Sequence, residues 1–135
     1  TRLGLVAAVE GLPGSVFFTR ASKQEFSAFA AQYGIEEVGA GLRALLGAVN
    51  KTTGYGTANR VQYANAAVDA KLAEALATLD LAERARKLAQ VSDAYMADQA
   101  LIPLFHPVGD FAARKDLVVE PRPQRRFNAL MIRPR

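Results

Sequence analysis

Residues 65–96 constrain this chain more than any other stretch, because two amphipathic helices stand there end to end. Asn65 suits an N-cap, where its side-chain oxygen can take an orphan N–H of the first turn. Val68, Leu72, Ala75, Leu76 and Leu79 then recur at helical spacing on one face. Asp80 opens a second helix, with Glu83 three residues on as in a capping box. The apolar face expected for it is Leu81, Ala85, Leu88, Ser92, Tyr95 and Met96, with Glu83, Arg84, Arg86 and Lys87 on a solvated face. The joint, Thr78–Asp80, is short enough to favour a helix pair packed side by side.

The remaining chain is less regular. Residues 3–9 form a short apolar run suited to a buried strand. Gly11, Pro13 and Gly14 punctuate it. Val16–Thr19 has strand propensity, yet its Pro-Gly-Ser start suits a helix. Residues 24–33 are alanine-rich, with Phe26 and Phe29 at helical spacing, so local propensity favours strand and then helix across this region. A helix is expected over 36–48, with Val38, Leu42, Leu45 and Leu46 on one face. Its glycines at 39, 41 and 47 make it dependent on packing. Residues 50–58 are a loop by composition. Residues 100–105 read as a strand, but Pro103 cannot donate to a ladder and confines it to an edge or a crossover. Val118–Val119 and Phe127–Ile132 are short strand candidates, with Pro121 and Pro123 between them. The reading so far is an α/β domain.

With 135 residues the chain is one domain, or a piece of a larger protein. It has no cysteine, which excludes a disulfide scaffold, a thiol nucleophile and a thiolate metal site. One histidine, His106, excludes a multi-histidine metal centre. No apolar run reaches the ~18 residues of a membrane span. There is no Gly-x-Ser-x-Gly elbow and no phosphate loop, so no catalytic role and no cofactor are expected. The net charge of +4 is uneven. Residues 114–135 hold seven basic side chains against Asp116 and Glu120, giving +5 there and −1 before it. The chain begins at Thr1 with no basic-then-apolar leader, as expected for a processed or excised product.

From Gly54 to Leu104 the sequence carries an ordered series: Asn59, Tyr63, Asn65, Val68, Asp69, Asp80, Arg84, Asp98, Ile102, Pro103 and Leu104, with Ala112-Ala113-Arg114 further on. This series resembles the C-terminal part of the extracytoplasmic solute-binding proteins of peptide- and nickel-type ABC importers (family 5). In that family a Tyr-x-Asn-x-x-Val-Asp segment precedes an acid and an arginine on a second helix, then Asp-x-x-x-Ile-Pro-Leu. The flanks keep the same register, so the resemblance covers nearly the whole chain. It implies a fragment of a two-lobed, periplasmic-binding-protein-like (type II) α/β fold. Residues 1–99 would end the second, ligand-binding lobe, and residues 100–135 would be a crossover strand and basic tail of the first. It also implies a short helix over Pro13–Arg20 and a strand over Phe26–Tyr33, the reverse of the local propensities.

The implied function is non-enzymatic transport: capture of a peptide or related small solute in the periplasm, and delivery to the permease subunits of an ABC importer, peripheral to the membrane. No cofactor, metal or nucleic acid is implied. A fragment without its partner lobe would expose apolar surface and is expected to pair with a copy of itself. Under the resemblance the candidate ligand-binding residues are Tyr33, Glu36, Glu37, Asn59, Arg60 and His106. Tyr33 follows the implied strand, where an aromatic could stack on ligand or simply pack. Glu36 and Glu37 lie near the position of an ammonium-binding aspartate, although that aspartate pattern is missing; they equally suit a helix N-terminus. Asn59 and Arg60 sit in the glycine loop, where an arginine could fork onto a carboxylate or the pair could simply tie loop to core. His106 follows the crossover, as a ligand group or a turn residue. Tyr63, Asn65 and Asp69 read as structural: a packed aromatic, a cap and a first-turn acid. The alternative function is a small basic nucleic-acid-binding module using residues 114–135, with binding that falls steeply with salt.

Overall fold

The computed structural model describes residues 4, 6–35, 37–106, 112–120 and 129–135. Expectations for residues 3, 5, 36, 107–111 and 121–128 lie outside them. The chain divides into two units, Thr1–Ala31 and Gln32–Arg135.

In the first unit the run at 6–9 forms no strand, and Val6 and Val9 are fully exposed. Helix α1 spans Gly14–Ser22, with Pro13 at its N-cap and the Pro13 carbonyl accepting the Phe17 N–H at 2.9 Å. The strand propensity of Val16–Thr19 yields to aromatic packing. Phe17 stacks on Phe26 with centroids 5.8 Å apart and meets Phe29 edge-on at 5.5 Å. The Arg20 guanidinium lies 4.6 Å from the Phe26 centroid and pairs with Glu10 and Glu25, each at 3.0 Å. Residues 24–33 form neither the helix favoured by alanine content nor the strand implied by the resemblance. Gln24 has φ of 57°, which stops helix propagation, and residues 24–33 form no ladder among the described residues.

The second unit is built on three helices: α2 (Val38–Leu45), α3 (Ala66–Ala77) and α4 (Leu81–Ala97). Asn65 caps α3, accepting from the N–H groups of Ala67 and Val68, and Asp80 caps α4, accepting from Glu83 N–H at 2.7 Å. The two helices pack as a hairpin. The core is Leu46, Val68, Leu72, Ala75, Leu88, Val91 and Tyr95, with Leu42, Leu45, Leu76 and Ala94 against it. The inward face of α4 differs from the sequence expectation. Leu81 is 81% exposed and Ala85 is exposed, while Val91 is buried. Arg84 and Lys87, expected in solvent, are half-buried, so their aliphatic stems cover apolar surface while their charged ends stay paired. Leu79 has left α3 and stands exposed in the joint.

Beyond α4 the described residues add little to the core. Residues 101–105 form no ladder, and Ile102, Leu104 and Phe105 are 79%, 69% and 78% exposed. The expected strand there is therefore unpaired among the described residues. Strand β1 (Leu117–Val119) pairs antiparallel with β2 (Ile132–Pro134), Val118 opposite Arg133. The strand expected over Phe127–Ile132 is instead a 3-10 turn at Ala129–Met131 leading into β2. Met131 is buried, so the turn serves to bring an apolar side chain inward. The described residues thus form a small mixed structure of four α-helices and a two-stranded sheet.

Candidate functional site

The loop between α2 and α3 gathers most of the residues singled out by the sequence. It begins by turning back on α2. Gly56 N–H reaches the Arg43 carbonyl at 2.9 Å and Ala58 N–H the Ala44 carbonyl at 2.8 Å, satisfying orphan acceptors of the last helical turn. Gly56 has φ of 67°, and a Cβ there would come within 2.7 Å of the Gly47 carbonyl oxygen and of Val49 Cα. Only glycine permits so close an approach of two backbones.

Asn59 is 4% exposed and its amide is fully engaged. Nδ2 donates to the carbonyls of Gly47 at 2.9 Å and Tyr63 at 2.8 Å, and Oδ1 accepts from Tyr63 N–H at 3.1 Å. Tyr63 then turns its ring edge-on to Tyr95, centroids 5.5 Å apart, and donates its hydroxyl to Asp98 at 2.5 Å. Asp98 also accepts from Asn65 Nδ2 at 2.6 Å. The start of α3 and the end of α4 are so joined through one carboxylate. Asp69, in the first turn of α3, faces the Ala48 N–H at 3.3 Å and receives the Tyr95 hydroxyl at 3.4 Å.

The ionisation behaviour follows from these contacts. Burial, and then the Asp98 carboxylate, push the Tyr63 hydroxyl up to about 12. Burial followed by Asp69 raises Tyr95. Hydrogen bonds from Tyr63 and Asn65 hold Asp98 below the usual aspartate range. These shifts keep Tyr63 and Tyr95 neutral and Asp98 charged at neutral pH, so the three brace the loop.

Glu37 caps α2, accepting from Gly39 N–H at 2.9 Å and Ala40 N–H at 2.6 Å, and pairs with Arg84 at 3.3 Å. Partial burial pushes its carboxyl up, but the two N–H groups and Arg84 outweigh this and leave it lowered. Glu37 and Asn59 act at opposite ends of α2, whose eight residues make it about 12 Å long. The structure therefore does not bring them into one contact set. Arg60 shares the turn with Asn59 and donates to the Thr57 carbonyl at 2.8 Å. Tyr33 and His106 are exposed, and Glu36 lies outside the described residues.

Arg43 was not anticipated. From the last turn of α2 its guanidinium donates to the Thr53 carbonyl and lies 5.0 Å from the Tyr55 centroid. The sequence signal was available: a basic residue one turn before a glycine loop that contains a tyrosine. Arg43 and Arg60 thus each donate to a carbonyl of the loop, at Thr53 and Thr57. A shallow groove of about 470 Å³ between α3 and α4 is lined by Lys71, Glu74, Arg86, Lys87, Gln90 and Val91, none of them an expected site residue. Among the described residues no cluster of side chains is fit to hold a metal ion. Comparison with models of known families, with curated proteins and with solved structures finds no match.

Proposed function

We propose that this chain is the C-terminal part of an extracytoplasmic solute-binding protein, which captures a peptide or related small solute and hands it to an ABC permease. One observation carries the reading. Residues of the resembled series are tied to one another, the Asn59 side chain to the Tyr63 backbone and the Tyr63 and Asn65 side chains to Asp98, while Arg84 pairs with Glu37, the cap of α2. A series matched only by composition would have no reason to meet in this way. In this reading Asn59 and Glu37 hold the elements that carry the site. Arg60, Tyr33 and His106 are the groups offered to the ligand, alongside Glu36. The solute binds between two lobes, and contacts to both shift the population toward a closed form that docks on the transporter.

The exposed apolar run Leu101–Phe105 supports the same reading, since a crossover strand would be covered by the other lobe. The basic tail gives less support to nucleic-acid binding. Arg114 is paired with Asp116 at 2.8 Å and Arg133 with Glu120 at 3.0 Å, so the chain itself already meets part of that charge. Native mass spectrometry of the protein from its complete reading frame, purified without added ligand, tests the proposal. The expected result is a mass several times that of this chain, with a small molecule that leaves on mild unfolding. A mass equal to this chain's, with nothing bound, would overturn it.

A further inference from the structure

We propose that Asn50 is a modification site, the acceptor for an N-linked sugar supplied by a sugar 1-diphosphate donor. Asn50-Lys51-Thr52 is an Asn-x-Thr sequence with no proline at its centre, the pattern that N-glycosyl transferases recognise. It lies in an exposed hairpin closed by the pairing of Asn50 with Tyr55. Asn50 Oδ1 accepts from Thr52 N–H at 3.0 Å and Thr53 N–H at 3.1 Å, which folds the acceptor and the threonine into one turn. Its Nδ2 and the Thr52 hydroxyl have no partner among the described residues. The other described asparagines differ. Asn59 spends both N–H groups on carbonyls, and Asn65 spends its Nδ2 on Asp98, and neither is followed by x-Ser or x-Thr. Asn50 alone among them combines the sequence, the exposure and an unpartnered carboxamide nitrogen.

In the step, Asn50 Nδ2 attacks the anomeric carbon of the donor. The N–C1 bond forms and the C1–O bond to the diphosphate breaks, its electron pair leaving with the diphosphate. One amide proton passes to a carboxylate base of the transferase. The carrier of the diphosphate is a polyprenol or a nucleoside, and the product tells them apart. A preassembled oligosaccharide added in one step indicates the polyprenol, and a single hexose the nucleoside. Because Lys51, Thr52 and Thr53 are exposed, the sugar displaces no core side chain.

This inference does not rest on the transport reading. The test is a peptide map of the full-length protein made in its own host. The Asn50 peptide should carry a sugar mass that an amidase removes, converting Asn50 to aspartate. Thr52→Ser should keep the modification, while Thr52→Ala and Asn50→Gln should lose it. Thr52→Ala should melt as the parent does, since that hydroxyl has no partner among the described residues, so its loss of sugar is not a loss of fold. An unmodified Asn50 in the parent, or a modification that survives Thr52→Ala, overturns the proposal.

Discussion

Asn59 shows how much of the loop rests on one amide. Removing its side chain leaves the Gly47 and Tyr63 carbonyls and the Tyr63 N–H without their partner in a site closed to water. Asn59→Ala is therefore expected to cost about 2–3 kcal/mol in urea unfolding, and a loss near zero would mean that water replaces the amide. The Tyr63–Asp98 contact makes a different prediction, because it lowers Asp98 and adds to the rise that burial chiefly causes at Tyr63. Asp98 is held below its usual range, so the unfolded chain binds the proton more readily there. Stability from this contact is present above pH 4 and is lost as pH falls through the aspartate range. Tyr63 is raised from 10.0 to about 12, so the folded chain keeps that proton longer. The corresponding stability is present below pH 10 and is lost as pH rises toward 12. Tyr63→Phe should flatten the melting temperature profile at both ends, and an unchanged profile would separate the shifts from this contact.

At the scale of elements, what was legible in the sequence was what local chemistry decides. Asn65 and Asp80 cap the helices they precede, because a side-chain oxygen beside orphan N–H groups acts within a few residues. The inward face of α4 was not legible. Its register is set by where α3 and α2 lie, which leaves Arg84 and Lys87 half-buried and Leu81 and Ala85 exposed. Helix α1 stands where the resemblance implied a short helix over Pro13–Arg20 and where local propensity alone favoured a strand, because Phe17 packs on Phe26 and Phe29. The ties of Asn59 and Asp98 join residues that sequence order separates, so no local pattern announced their geometry. The glycine loop offers a direct test of that long-range control. Gly56→Ala forces a side chain into left-handed backbone and onto Gly47 and Val49, and should cost about 3 kcal/mol. Gly14→Ala, where a Cβ meets nothing within 4 Å, is the control and should be neutral or slightly stabilising. Equal effects from the two would mean that the loop yields where it is drawn tight.

For the whole molecule the decisive feature is apolar surface left in water. The core of the second unit gathers on three helices, while Ile102, Leu104 and Phe105 follow one another almost bare. Burying each such side chain is worth about 1.5–3 kcal/mol, enough together to drive association. Pro103 weighs against a regular ladder with any partner strand, so the cover must come largely from side-chain packing. The isolated chain should therefore bind a hydrophobic dye and associate as its concentration rises, measured by light scattering after size exclusion. Ile102→Lys combined with Phe105→Glu should abolish both effects. The same double variant should leave the melting temperature unchanged, because neither side chain belongs to the core. A lowered melting temperature would instead give the segment a place in the fold of this chain. A parent chain that stays monomeric and dye-silent would mean that the run needs no cover, and the second lobe assumed by the transport reading would lose its main physical motive.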